Sequence, residues 1–191
     1  MLPMSSFAGK PFYDLAINFA HEDNIGRSEK SDDIFSDNIV SYFGSANYLH
    51  QLNNNSGILF GSSAQWEDYS KTDKLDNFSF DVGVTYKYKP DLHYTSPWYS
   101  LGFKASRASY NKSELRDNYA FAVDVMAGKR ITDRIMLKAG IAYKDQTATT
   151  DQSGLLGGKL YDIEYSKVFL GADYFYKQFI FYGQYTFQDG D

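Results

Sequence analysis

Apolar and polar residues alternate along most of this chain. From Asn118 the odd positions read Tyr119, Phe121, Val123, Val125 and Ala127, and the even ones Ala120, Ala122, Asp124, Met126 and Gly128. After Thr132-Asp133 the pattern resumes, with Ile135, Leu137, Ala139, Ile141 and Tyr143 on one face and Met136, Lys138, Gly140, Ala142 and Lys144 on the other. A period of two is the mark of a β-strand, because successive side chains point to opposite faces. Two such runs joined by a short polar turn predict a hairpin.

The same reading extends along the chain. Tyr13, Leu15, Ile17 and Phe19 share a face in the first predicted strand, and a second runs over 38–50. There Phe43 interrupts the polar face and has to pack inside. A third strand covers 58–67 and a fourth 78–88; a fifth begins at Tyr99. The fourth is the most regular, with Phe78, Phe80, Tyr86 and Tyr88 at its ends and Val82 and Val84 in its middle. Near the C-terminal end the apolar positions Ile163 and Tyr165 give way to Val168, Leu170, Ala172 and Tyr174, a shift of one. That slip predicts a β-bulge near Ser166-Lys167, or else a loop there. Phe179 to Phe187 forms a final strand, which makes about nine. The connections alternate: long polar loops, over 23–37 and 146–159 above all, then shorter turns.

Composition sharpens the picture. Aromatic residues make up 18% of the 191, with 17 Tyr and 15 Phe, and Tyr tolerates a membrane–water boundary. Proline occurs only 4 times, which suits long ladders. No cysteine is present, so disulfides and thiolate metal sites are excluded. The net charge of −5 and the lack of a basic cluster speak against a nucleic-acid partner. Mean hydropathy is −0.47 and no apolar run reaches the ~18 residues of a membrane helix. A membrane barrel needs only every second residue to be apolar. The first ten residues lack a signal peptide's basic and apolar regions. Either the protein is cytosolic, or a leader was removed and a start Met added; the strand pattern favours the latter.

The segment Gly128-Lys-Arg-Ile-Thr-Asp-Arg-Ile-Met-Leu-Lys-Ala-Gly140 resembles the periplasmic hairpins of Gram-negative outer-membrane β-barrel proteins. With the alternating loop lengths, it implies an all-β, antiparallel up-and-down transmembrane β-barrel of about 8–10 strands, with a tail over 1–10 and the barrel over 11–191. An odd strand number, and four loop-type residues after Phe187, fit a part of a larger barrel. They fit equally an even-stranded barrel with one strand overlooked near Ser5 to Lys10. The expected function is a pore or transport channel, or part of one. The alternatives are a small structural barrel presenting external loops, and an outer-membrane enzyme acting on lipid or peptide. A soluble ligand-binding barrel, which also needs one apolar face, is the remaining rival. The expected surroundings are bacterial outer-membrane lipid, with other barrel segments or outer-membrane and periplasmic proteins as partners and no cofactor.

Candidate chemistry is sparse. His21-Glu22-Asp23 closes the first strand at the external rim, where Glu67, Asp68 and Asp145 could approach. A general base needs a histidine within reach of the group it deprotonates and a partner to orient it. The spacing matches no enzyme motif, so solvated charges at a strand end are the preferred reading. His50 and His93 are too scattered for a metal site, and Asp32/Asp33 reads as a solvated acidic loop. The polar face is more informative: Asp14, Asn18, Asp81, Lys87, Lys104, Asp124, Lys138, Glu164, Lys167 and Asp173 are expected to line the interior. In a narrow barrel they would pair into a plug; in a wide one they would line a passage.

Overall fold

The computed structural model describes residues 9–23, 36–149 and 162–190. Nine strands account for most of them: β1 (Lys10–Glu22), β2 (Asp37–Asn53), β3 (Ser56–Tyr69), β4 (Asn77–Tyr88), β5 (Trp98–Tyr110), β6 (Asn118–Arg130), β7 (Ile135–Ala148), β8 (Ile163–Tyr176) and β9 (Phe179–Gly190). They form one sheet in chain order, every neighbouring pair antiparallel. The sheet curls into a half-barrel. β1 and β9 are its two edges, and β9 is exposed along both faces. The all-β, up-and-down architecture is therefore as the alternation predicts. The tail before Gly9, the possible strand near Ser5, and most of the loops over 23–37 and 146–159 lie outside the described residues.

The exposure of the two faces is inverted relative to a water-soluble protein. Along β7 every apolar-face residue from Ile135 to Tyr143 is exposed, and every residue on the polar face is half-buried. Ile141 is 56% exposed and Leu170 on β8 59%. The less accessible face of a curled sheet is its concave one, so the polar residues lie inside the curl. A soluble sandwich or barrel would turn its apolar stripe inward. Among the described residues only Ile39, Leu75, Ala120 and Phe169 are buried apolar side chains, which is too few for a packed core.

Register is regular with one exception, and the exception is not the expected one. β8 pairs with β7 from Ile163 to Tyr174 and with β9 from Tyr165 to Tyr176 without a shift, so no bulge exists at Ser166-Lys167. The irregularity lies at Gln51/Asn53, beside the turn into β3. An unbroken β8 reverses the faces expected at its start. Ile163 and Tyr165 point inward with Lys167 and Phe169, and Glu164 and Ser166 share the outer face with Val168. The expectation failed because it sent Ile163 and Tyr165 outward on their apolar character and needed a bulge to do so. Tyr165 instead stands among lysines on the inner face, and Glu164 sits near the strand end, accepting a hydrogen bond from the Tyr143 hydroxyl at 2.9 Å.

Candidate functional site: the concave wall and its rim

Antiparallel register sorts the inner side chains into rows that cross the strands. One row runs Asp14, Ser45, Ser63, Asp81, Ser106, Ala120, Gln146. Ser45 donates to Asp14 at 3.3 Å, Ser63 to Asp81 at 3.0 Å, and the Lys104 ammonium pairs with Asp81 at 3.0 Å. The neighbouring row runs Asn47, Gly61, Gly83, Lys104, Ala122, Lys144, Tyr165. The next holds Asp124 and Lys167, separated by Ala142. Nearer the turns, Lys138 and Asp173 form an ion pair at 2.8 Å, with Asp173 nearly buried. A cavity of about 350 Å³ lies along this face, with Ser45, Asn47, Ser63, Asp81, Lys104 and Asp124 in its lining.

Small residues keep this wall thin. A Cβ on Gly128 would collide with the Trp98 indole, one on Gly140 with the Phe169 ring, and one on Gly102 with the Asp124 carboxylate. Trp98, Phe169 and Asp124 thus each lie across a glycine of the adjacent strand. Phe43 also faces inward, as its interruption of the polar pattern requires.

Most of the expected lining residues come together on this one face: Asp14, Asn18, Asp81, Lys87, Lys104, Asp124, Lys138, Lys167 and Asp173. Glu164 does not; it is on the outer face. Lys144, Tyr165, Trp98 and Arg130 belong to the inner face although no site expectation named them. Arg130 packs its guanidinium over the rings of Phe175 at 4.2 Å and Tyr94 at 4.9 Å.

The histidine cluster offers little chemistry. His21 Nε2 meets Asp23 Oδ1 at 2.9 Å, and Nδ1 meets Asn38 Oδ1 at 2.9 Å. Both ring nitrogens are engaged, so neither presents a free lone pair to a substrate. Glu67 is held by Gln65 at 2.7 Å and Asn77 at 3.0 Å, away from the histidine. Asp145 lies on β7, paired with Phe121 and Glu164. His93 contacts Thr95 at 2.9 Å. Among the described residues no three metal-binding side chains converge. Asp32 and Asp33 lie outside the described residues.

The rim at the long-loop end holds a feature the alternation could not reveal. The sequences Tyr69-Ser-Lys-Thr-Asp-Lys-Leu-Asp-Asn77 and Tyr110-Asn-Lys-Ser-Glu-Leu-Arg-Asp-Asn118 are two copies of one element. Each contains a single 3-10 turn, Asp73–Leu75 or Glu114–Arg116. In each, the aspartate seven residues on takes the tyrosine amide: Tyr69 to Asp76 at 2.9 Å, Tyr110 to Asp117 at 2.7 Å. The following asparagine caps the 3-10 turn from behind, Asn77 to the Leu75 carbonyl and Asn118 to that of Arg116. The copies also interlock. Asn111 donates its amide to the Asp76 carbonyl at 3.1 Å, and Thr149 donates to that of Asp117 at 2.7 Å. Asp37-Asn38 starts β2 in the same place, its carboxylate wholly buried and taking the amides of Lys71 and Thr72. The repeated Asp-Asn at the start of β2, β4 and β6 is the signal in the sequence that marks it.

Comparison with protein-family models, with curated proteins and with solved structures gives no match to this chain.

Proposed function

We propose that this chain forms the wall of a transmembrane β-barrel pore in a Gram-negative outer membrane. The observation that carries the reading is the inverted exposure: a curled sheet whose outer face is continuous apolar and aromatic surface and whose inner face is charged. In water, an exposed apolar surface of this extent would drive association. In lipid it is the solvated state, and the alternation is what a membrane strand requires. Strand length agrees. The shortest spans hold 12 residues, as in β4, which at ~3.3 Å per residue and a tilt near ~40° rise roughly 30 Å, the thickness of a hydrocarbon core. Aromatics at both ends of β4 fit the two interfaces.

A pore is favoured over a filled barrel by the flat wall. Trp98, Phe169 and Asp124 lie in glycine notches and leave the interior of the curl open, and the polar lining suits water. Unpaired strand edges are costly in lipid, so the outer edges of β1 and β9 call for further strands to complete the wall. The test is single-channel recording of the protein reconstituted in planar bilayers. Discrete conductance steps are expected; a protein that inserts, yet stays electrically silent, overturns the pore. Stable monodisperse protein without detergent would overturn the membrane reading itself.

A further inference from the structure

We infer that Lys144 and Lys167, set about Tyr165, form a binding site for small oxyanions on the inner wall. The inference rests on the pore reading only for how solute reaches the site. It starts from a difference among the inner lysines. Lys104 is neutralised by Asp81 and Lys138 by Asp173. Lys144 and Lys167 have no carboxylate within ion-pair distance among the described residues. Both are half-buried, and both ammonium groups lie 6.0 Å from the centre of the Tyr165 ring, so one ring bridges them. Lys144 gives one hydrogen bond to the Gln146 side-chain oxygen at 2.8 Å, which leaves donors to spare.

The floor around these groups is clear. Ala122 stands beside Lys144 in its row, with Lys104 beyond it, and Ala142 stands beside Lys167, with Asp124 beyond it. Asp124 is also diagonal to Lys144, as Asp81 is to Lys104, yet neither Lys144 nor Lys167 forms an ion pair with it. Asp124 leans instead over Gly102 on β5, away from Lys167. Two ammonium groups without an ion-pair partner on a partly desolvated wall raise the local concentration of counter-anions. A tetrahedral or planar oxyanion offers several acceptors to such point donors. The opposite flank is of the other sign, with Asp14, Glu22 and Glu67 on β1–β3, so the site is a local feature of β7 and β8.

The experiment adds inorganic phosphate to single channels in potassium chloride. Saturable reduction of the current is expected. In the double variant Lys144→Gln, Lys167→Gln the half-blocking concentration should rise roughly tenfold. Lys87→Gln, on the same face near the turns, should leave it unchanged. Block that does not saturate, or that persists in the double variant, overturns the site and leaves the pore standing. A protein that never conducts overturns the pore instead. The site is then read by phosphorus NMR of phosphate with the detergent-solubilised protein: broadening that disappears in the double variant supports it, and the absence of broadening overturns it.

Discussion

Lys112, in the loop after β5, forms an ion pair with Asp73, in the loop after β3. The two residues occupy the third and fifth positions of successive copies of the rim element. The lysine of the first copy does the same one step back: Lys71 reaches the Ser36 carbonyl at 3.1 Å. The exposed ion pair itself contributes little in salt. The main-chain bonds beneath it tie each hairpin to the next.

The aspartate of each copy gives the first prediction. Asp117→Ala removes the acceptor for the Tyr110 amide at a half-buried position and is expected to cost about 1–2 kcal/mol. Asp117→Asn keeps an acceptor and should cost less than half as much. Urea denaturation of the detergent-refolded protein measures both. Equal losses would show that charge, and not the hydrogen bond, holds the rim.

Asp37 makes the rim sensitive to acid. Burial pushes its carboxyl up, but the amides of Lys71, Thr72 and Asn38 outweigh burial and hold its pKa below the ordinary value of 3.8. A carboxylate whose folded pKa is depressed stabilises the fold above its unfolded pKa, and that contribution is lost as pH falls through the folded value. Hydrogen exchange should therefore find the Lys71 and Thr72 amides protected at neutral pH and progressively released below about pH 4. Asp37→Asn should remove that pH dependence.

Trp98 reports on the glycine notches. The chain has 2 tryptophans, so Trp66→Phe leaves Trp98 as the sole indole. In that background Gly128→Ala should lever the indole out of its notch and shift its emission to the red, with a stability loss of about 1–3 kcal/mol. An unmoved spectrum would mean that the backbone gives way instead.

Lys138 and Asp173 are coupled on a partly buried wall. Asp173→Ala strands the ammonium and should cost about 2 kcal/mol, and the double variant with Lys138→Ala should recover part of that. Additive losses in the mutant cycle would show that the two side chains act independently.

Lys177 turns β8 into β9 with a φ of 53°, in the left-handed region that a side chain disfavours. Lys177→Gly is expected to stabilise the protein by about 1 kcal/mol, read as a higher urea midpoint.

The strands were legible because two-residue alternation is a strong, local signal: nine runs predicted over 13–187 became nine strands, most of them extended by a few residues at their ends. β8 shows where the signal fails. Polarity at Ile163 to Tyr165 argues for one face and the ladder for the other, and continuous hydrogen bonding to two neighbours outweighs the preference of one tyrosine. The inner face was legible as a list but not as pairs, since Lys138 and Asp173 lie 35 positions apart and only register brings them together. The rim element escaped because its work is done by main-chain amides, which leave no trace in hydrophobic periodicity. Its Asp-Asn pairs were visible as letters, without a reason to connect them.

The two free edges carry a rule of symmetry. Eight successive reversals leave β1 and β9 running in the same direction. A second copy set beside the first in the same orientation would bring β9 of one against β1 of the other in parallel at both seams. Turning that copy over would make the seams antiparallel but would place the rim loops at opposite ends of the ring. A ring that is antiparallel throughout, with every long loop on one side, therefore joins these nine strands to an odd number of others, and the complement cannot be a mirror of the half already present.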